Sequence, residues 1–306
     1  MANLRDIRNR IESIKNTQQI TRAMKMVAAA KLRKAQDRMN HNRPYASKMS
    51  SLVARLASNS STESLSNPLL KSKSEPENAL LIVIGSDRGL CGAFNNNLFK
   101  VVEKKLKNQF AEMNESGNLD MITIGSKPSG YFPRYGYNVI EKHPGFFDSL
   151  DYNDAASIAR MVMEAFINDT YDEVYIAYNE FKTVISQNRI FRKILPIEPE
   201  SLLDGHEDEK SAEEKKVADA EYIYEPDVVS ILDALLPKNL TVQLWTAILE
   251  SNAAEQGSRM AAMDNATENA KELEGDLRLE YNKARQQAIT TEISEIVSGA
   301  QALAEG

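Results

Sequence analysis

The chain is poor in the residues that build redox, metal and membrane sites. Cys91 is the single cysteine among 306 residues, which excludes an intramolecular disulfide or a dithiol switch. His41, His143 and His206 are the only histidines and none shares metal-ligand spacing with another, so zinc chemistry is excluded. No apolar run approaches the eighteen residues of a membrane span. The opening MANLRDIRNRIESIKNT lacks the unbroken apolar segment of a secretory signal, which predicts a cytosolic-type chain. Helix breakers are also scarce at the end: no proline follows Pro237, and only Gly257, Gly275 and Gly299 weaken the run up to Leu303.

That last stretch, residues 240–303, reads as one helix roughly 95 Å long at 1.5 Å per residue, too long to be buried in its own core. Its apolar stripe runs through Met263, Ala266, Ala270, Leu273, Leu277, Tyr281, Ala284 and Ala288, then Ile289, Ile293, Ile296, Ala300 and Leu303. The steps of three and four slip near Tyr281 and at Ala288 and Ile289, which predicts a loosened coiled coil. The first residues repeat the pattern through Leu4, Ile7, Ile11, Ile14, Gln18, Thr21, Met24, Ala28, Leu32 and Ala35, with polar Gln18 and Thr21 placed to fix register. Pro44 predicts a kink or break, although the pattern resumes at Met49, Leu52, Val53 and Leu56. With 42 % hydrophobic and 26 % charged residues the whole is an ordinary soluble composition, but its net charge of −7 is uneven. Residues 1–57 carry thirteen Lys and Arg against three acids, whereas residues 239–306 carry five against eleven, so antiparallel helices would attract each other.

Between them the grammar changes. Residues 58–78 form a polar linker, and residues 79–236 alternate strands and helices: strands at 79–85, 120–125, 138–141, 173–178 and 184–196, helices at 95–109, 153–168 and 228–236. Residues 204–221, with eight acids and three bases, read as a solvated loop, and deletion of residues 206–218 should leave the melting temperature of the globular domain nearly unchanged. The expected fold is a Rossmann-like α/β domain (79–236) inserted between an N-terminal helix (1–57) and a C-terminal helix (237–306) that form an antiparallel coiled coil. Gly89-Leu90-Cys91-Gly92 is the one candidate phosphate cradle. It lacks both G-x-G-x-x-G and the lysine-bearing P-loop, and Cys91 has no histidine near it in sequence. Asp87 and Arg88 are expected to cap or pair at the strand end, and neither a cofactor nor a catalytic residue is expected.

Five stretches carry a specific resemblance: IKNTQQITRAMKMVAAAKLRKAQ (14–36), SDRGLCGAFN (86–95), YIYEPD (222–227), SRMAAM (258–263) and YNKARQQAITTEISEIVSGAQA (281–302). Together they resemble the gamma subunit of F-type ATP synthases over nearly the whole chain. Ile289, Thr290, Glu292, Glu295, Gly299 and Ala300 match that family's C-terminal signature, and the redox cysteine pair of its photosynthetic members is absent.

The resemblance implies a central rotor shaft that turns inside three alpha and three beta subunits of a proton-translocating complex, coupling ion flow to nucleotide chemistry on beta and having no nucleotide site of its own. It also implies epsilon, delta and the ring of c subunits as partners, and a peripheral place on the cytoplasmic face of a bacterial inner membrane. Carried over residue by residue, Met24, Lys25, Arg259, Arg285, Gln286, Thr290 and Glu292 would contact the beta subunits and take up torque. Lys31, Arg33, Lys34, Tyr222, Tyr224, Glu225 and Asp227 would belong to the foot facing epsilon and the c-ring. The competing reading, from the basic first helix alone, is a coiled-coil arm that binds nucleic acid. It is disfavoured by the long apolar seams and by the lack of aromatics before Tyr45.

Overall fold

Leu4 begins a helix, α1, that runs without interruption to Asn59, and a second one, α7, occupies Val228–Ala304. The structure is a computed structural model and describes residues 4–59, 67–184, 186–198, 224–225 and 227–304; the acidic stretch 204–221 and Tyr222 lie outside the described residues. Neither proline ends its helix. Pro44 sits exposed inside α1, and Pro237 lies inside α7, so the expected break at the first and helix start at the second are both corrected. A proline forfeits one main-chain hydrogen bond and crowds the preceding turn. Buried residues on both sides, Met39 and Met49 around the first, Leu236 and Leu240 around the second, hold the helix through it.

The chain divides into two compact units, one made of Met1–Ala29 with Arg259–Gly306 and the other of Ala30–Ser258. In the first, the helices are antiparallel: Thr21 meets Thr267, and Lys25 meets Asp264. Burial follows a strict heptad. Met263, Ala270 and Leu277 are buried on α7, facing a seam that includes Ile7, Thr21 and Ala28 on α1. Thr267, Glu274, Tyr281, Ala284 and Ala288 are half-buried, while Leu273 is 48 % exposed. The seam therefore takes polar Thr267 and Glu274 in place of Leu273, and the slip expected near Tyr281 disappears.

The second unit holds the sheet. Its strands are β1 Ala79–Ile84, β2 Leu119–Ile124, β3 Asn138–His143, β4 Glu173–Phe181 and β5 Gln187–Leu195. The helices between them are α2 Phe94–Asn108, α3 Ala111–Glu115, α4 Ser126–Tyr131, α5 Phe146–Ser149 and α6 Tyr152–Ile167. Strand order is β3-β2-β1-β4-β5, parallel except for β5, which runs antiparallel along β4 as an edge. Every residue of β1 is buried, as a central parallel strand covered on both faces requires. Ala79, Leu81 and Val83 pack with Leu98, Val102 and Leu106 of α2. Leu80, Ile82 and Ile84 face the opposite way and share a core with Ile158 and Val162 of α6, Val53 and Leu56 of α1, and Leu236, Leu240 and Leu244 of α7. The sheet is thus sandwiched between α2 on one face and α6 with parts of both long helices on the other.

Part of the expected linker is also packed. Asn67 caps a 3-10 turn, Pro68–Leu70, which buries Leu69, and Ile197 donates its N–H to the Leu69 carbonyl at 2.8 Å. The Asp172 carboxylate, just before β4, accepts from Lys73 at 2.5 Å and from the N–H groups of Glu77 and Asn78 at 2.8 and 3.0 Å. Residues 73–78 are thereby strapped to the sheet.

Candidate functional site

Two regions compete for function, and each is built by its own unit. In the first unit, the cross-helix pairs put Leu4 opposite Ala284 or Arg285 when the register is continued. About twenty residues of α7 then extend past the described start of α1, at 1.5 Å each. Arg285, Gln286, Thr290 and Glu292 lie there and are all exposed. Thr290 returns its hydroxyl to the Gln286 carbonyl at 2.9 Å, a local helix bond that leaves the outer surface of the helix open. Among them stand large apolar side chains that a solvated helix end does not need: Ile289, Ile293, Ile296 and Val297, from 47 to 70 % exposed. Met24 is half-buried on α1 and Arg259 half-buried on α7. Lys25 is paired inside its own unit with Asp264, at 2.5 Å with both side chains partly in water. A pair so exposed adds at most about 1 kcal/mol.

The expected foot residues divide. Lys31, Arg33 and Lys34 flank buried Leu32 and point outward on α1, which makes one basic arc. Tyr224 packs against the core that contains α6, and Glu225 is exposed. Asp227 caps α7, accepting the Ser230 N–H at 2.8 Å and the Ser230 hydroxyl at 2.7 Å. These bonds hold its carboxyl below the usual range. Tyr222 lies outside the described residues.

In the second unit, the place to look for a ligand is the crevice where strand order reverses, beyond the C-terminal ends of β1 and β4. It is filled by the chain itself. Cys91 and Phe94 pack against Ala254 of α7, with Phe181 beside them. Ser258 donates its hydroxyl to the Cys91 carbonyl at 2.8 Å, and Gln187 donates Nε2 to the Ala254 carbonyl at 3.0 Å. Asn179, fully buried on β4, donates Nδ2 to the Phe94 carbonyl at 3.4 Å. At the head of α2, Asn95 turns back to accept the Ser86 N–H at 3.0 Å. Asp87 behaves as expected and gathers the neighbouring loops: its carboxylate accepts from the N–H groups of Ser126, Gly145 and Phe147 at 2.7 to 2.9 Å. Gly125, at φ +104, lets this junction close, because a Cβ there would lie 2.6 Å from the Gly85 carbonyl oxygen.

Sequence reasoning missed the α7 segment 250–258. Glu250 on that helix is buried beside Tyr178 and Glu180 of β4, Arg192 of β5 and Arg43 of α1. Burial pushes its carboxyl up to about 7, with Glu180 adding to the shift and Arg192 opposing it. Glu250, Ser251, Glu255 and Gln256 are all buried there, and the available signal was the cluster of apolar and small residues among them, Ala247, Ile248, Leu249, Ala253 and Ala254, which is wider than a single stripe. Among the described residues no group of three His, Cys, Asp or Glu could hold a metal, and no helix is long and apolar enough to cross a membrane.

The family model described as ATP synthase matches residues 3–303. The ATP synthase gamma chain of Chloroherpeton thalassium is 48 % identical over 303 residues, covering 99 % of each chain. A chain in the cryo-EM structure of the Tetrahymena thermophila mitochondrial ATP synthase central stalk and c-ring superposes with a TM-score of 0.57 at 27 % identity, covering 81 % of this chain and 99 % of that one. A chain of the Euglena gracilis mitochondrial ATP synthase assembly of OSCP, F1 and c-ring gives a TM-score of 0.62 over 98 % of this chain and 94 % of that one; at 20 % identity it shows a shared fold.

Proposed function

This chain belongs to the ATP synthase gamma-chain family, and from that premise we propose that its two-helix unit is a shaft whose free end is turned inside a ring of alpha and beta subunits. It is a non-catalytic central-stalk subunit, with catalysis residing on beta. The observation that carries the shaft reading is the overrun of α7, where Ile289, Ile293, Ile296 and Val297 stand exposed beside Arg285, Gln286, Thr290 and Glu292. An apolar stripe on a single unpaired helix is stable in water only when a partner covers it, and a surrounding protein sleeve is such a partner. In this reading each beta subunit changes state because the rotating shaft contacts its conformations unequally, a differential stabilisation that needs no chemistry on the shaft. Met24, Lys25 and Arg259 would add contacts lower on the helices. The basic arc of Lys31, Arg33 and Lys34, with Tyr222, Tyr224, Glu225 and Asp227, would meet epsilon and the c-ring. Delta would join the same complex, held peripherally on the cytoplasmic face of a bacterial inner membrane.

Nothing in the comparisons supports a nucleic-acid-binding arm. Co-purification of a tagged chain from its host, with the subunits identified by mass, tests the proposal: alpha, beta, epsilon and c subunits are expected. Retention of nucleic acid without alpha and beta, lost steeply as salt rises, would overturn it.

A further inference from the structure

The crevice at the strand-order reversal is where open α/β sheets ordinarily take a ligand, because loops diverge there and leave a gap. Here α7 closes that gap with both apolar and polar contacts. Ala254 contributes a small side chain that admits the helix close to Cys91 and Phe94. Gly257 continues the approach: a Cβ built there would already touch the Phe181 ring at 3.4 Å and the Val184 carbonyl at 3.5 Å. Both hydrogen bonds run from a side chain to a main-chain carbonyl. Gln187, at the start of β5, donates to the Ala254 carbonyl, whose second lone pair is available beside its helical bond. Ser258, one turn on, donates to the Cys91 carbonyl in the loop after β1. One bond therefore holds the helix backbone from the β5 edge, and the other ties the helix to the loop that follows the central strand. Contacts in two directions resist both rotation about the helix axis and sliding along it. They add to the restraint that the apolar packing of α7 already supplies.

We infer that this filled crevice is a torsion lock, in which Gln187 and Ser258 are positioning residues that fasten α7 to the α/β domain so that force passes between the domain and the helix. The inference rests on the stalk reading above. It adds that the doubly wound sheet of this chain is used as a mechanical socket, with its ligand crevice given over to the chain's own helix.

The test uses the assembled complex in membrane vesicles, comparing wild type with the double variant Gln187→Ala/Ser258→Ala and reading ATP hydrolysis and ATP-driven proton pumping together. Hydrolysis is expected to stay within twofold of wild type while protons pumped per ATP fall at least threefold. The control Ser251→Ala removes a buried hydroxyl, without a hydrogen-bond partner among the described residues, about two turns before Ser258 on the same helix, and it should leave the ratio unchanged. Ser258→Thr, which keeps the hydroxyl, should restore most of the ratio when combined with native Gln187. An unchanged ratio in the assembled double variant overturns the lock. If the double variant does not assemble, amide hydrogen exchange in the isolated full chain decides: exchange at residues 250–258 should accelerate at least tenfold in the double variant, and equal protection overturns the lock. Failure of the stalk reading is seen separately, since the wild-type chain would then not assemble with alpha and beta at all.

Discussion

Thr21 and Thr267 face each other across the two-helix unit with their hydroxyl oxygens 2.8 Å apart. Each is also within reach of its own helix backbone, Thr267 of the Met263 carbonyl at 2.7 Å and Thr21 of the Gln18 carbonyl at 3.1 Å. Two hydroxyl protons thus serve three contacts, and Thr21 is only 9 % exposed. An apolar layer could slide by a residue at little cost. A polar layer in which the two threonines meet favours this register over one that sets either hydroxyl against an apolar side chain.

A double-mutant cycle measures this pair. Thr21→Val and Thr267→Val should each lower the stability of the full chain by about 1 kcal/mol, and the double variant by less than the sum, with a coupling of roughly 0.5–1.5 kcal/mol. Denaturant unfolding followed by circular dichroism reads it. Additive losses would show that the hydroxyls act independently through their own helices.

Glu250 predicts an unusual pH dependence. Its folded carboxyl titrates near 7, well above its value in an unfolded chain, so between about pH 4.5 and 7 the folded state binds more protons. Stability from this group is complete at the acid end of that window and is lost as pH rises through 7, by roughly 3 kcal/mol at about 1.4 kcal/mol per pKa unit. Glu250→Gln should flatten that part of the curve and raise the melting temperature at pH 8. A melting curve at pH 8 unchanged by the substitution would contradict it.

Asp172 behaves in the opposite sense. Burial pushes its carboxyl up, but Lys73 and the N–H groups of Asn78 and Glu77 together hold it below the usual range. Its contribution is therefore present above the unfolded pKa and is lost as pH falls through the lower folded value, on the acid side of about pH 4. Asp172→Ala should cost about 1–3 kcal/mol, because two N–H groups lose their partner. Proteolysis within residues 71–78 should rise with it, and unaltered cleavage would show that the strap is held elsewhere.

Arg285→Ala with Gln286→Ala keeps helix propensity and removes the side-chain hydrogen bonds and charge available to a surrounding ring. Assembly should be retained while ATP made per proton gradient falls in membrane vesicles. If the double variant runs like wild type, steric asymmetry of the helix pair carries the torque.

Pro44→Ala should stabilise the chain by about 1–3 kcal/mol, since the helix already runs through the proline without its hydrogen bond. Thermal unfolding checks it, and a lower melting temperature would mean that the proline contributes more to the fold than its missing hydrogen bond costs.

The sequence by itself determined the two long helices, the alternating strands between them and the exposed helix end. These are consequences of local periodicity: apolar residues every three or four positions in residues 4–35 and 263–303, and the unbroken apolar run of β1. The family was legible too, because its motifs are contiguous. The tertiary structure decided which residues occupy the seam. Leu273 matches the apolar pattern better than Glu274 does, yet Glu274 is the more buried, half-covered on the heptad shared with Met263 and Ala270 while its carboxylate accepts from Arg278 at 2.7 Å. The facing helix, not the side chain's own hydropathy, sets that choice. Only the fold could reveal that Ala254 and Ser258 return from far along the chain to fill the crevice behind Cys91 and Phe94. A glycine turn after a strand reads the same in sequence whether a ligand or a helix lies against it, because the occupant is chosen by long-range packing.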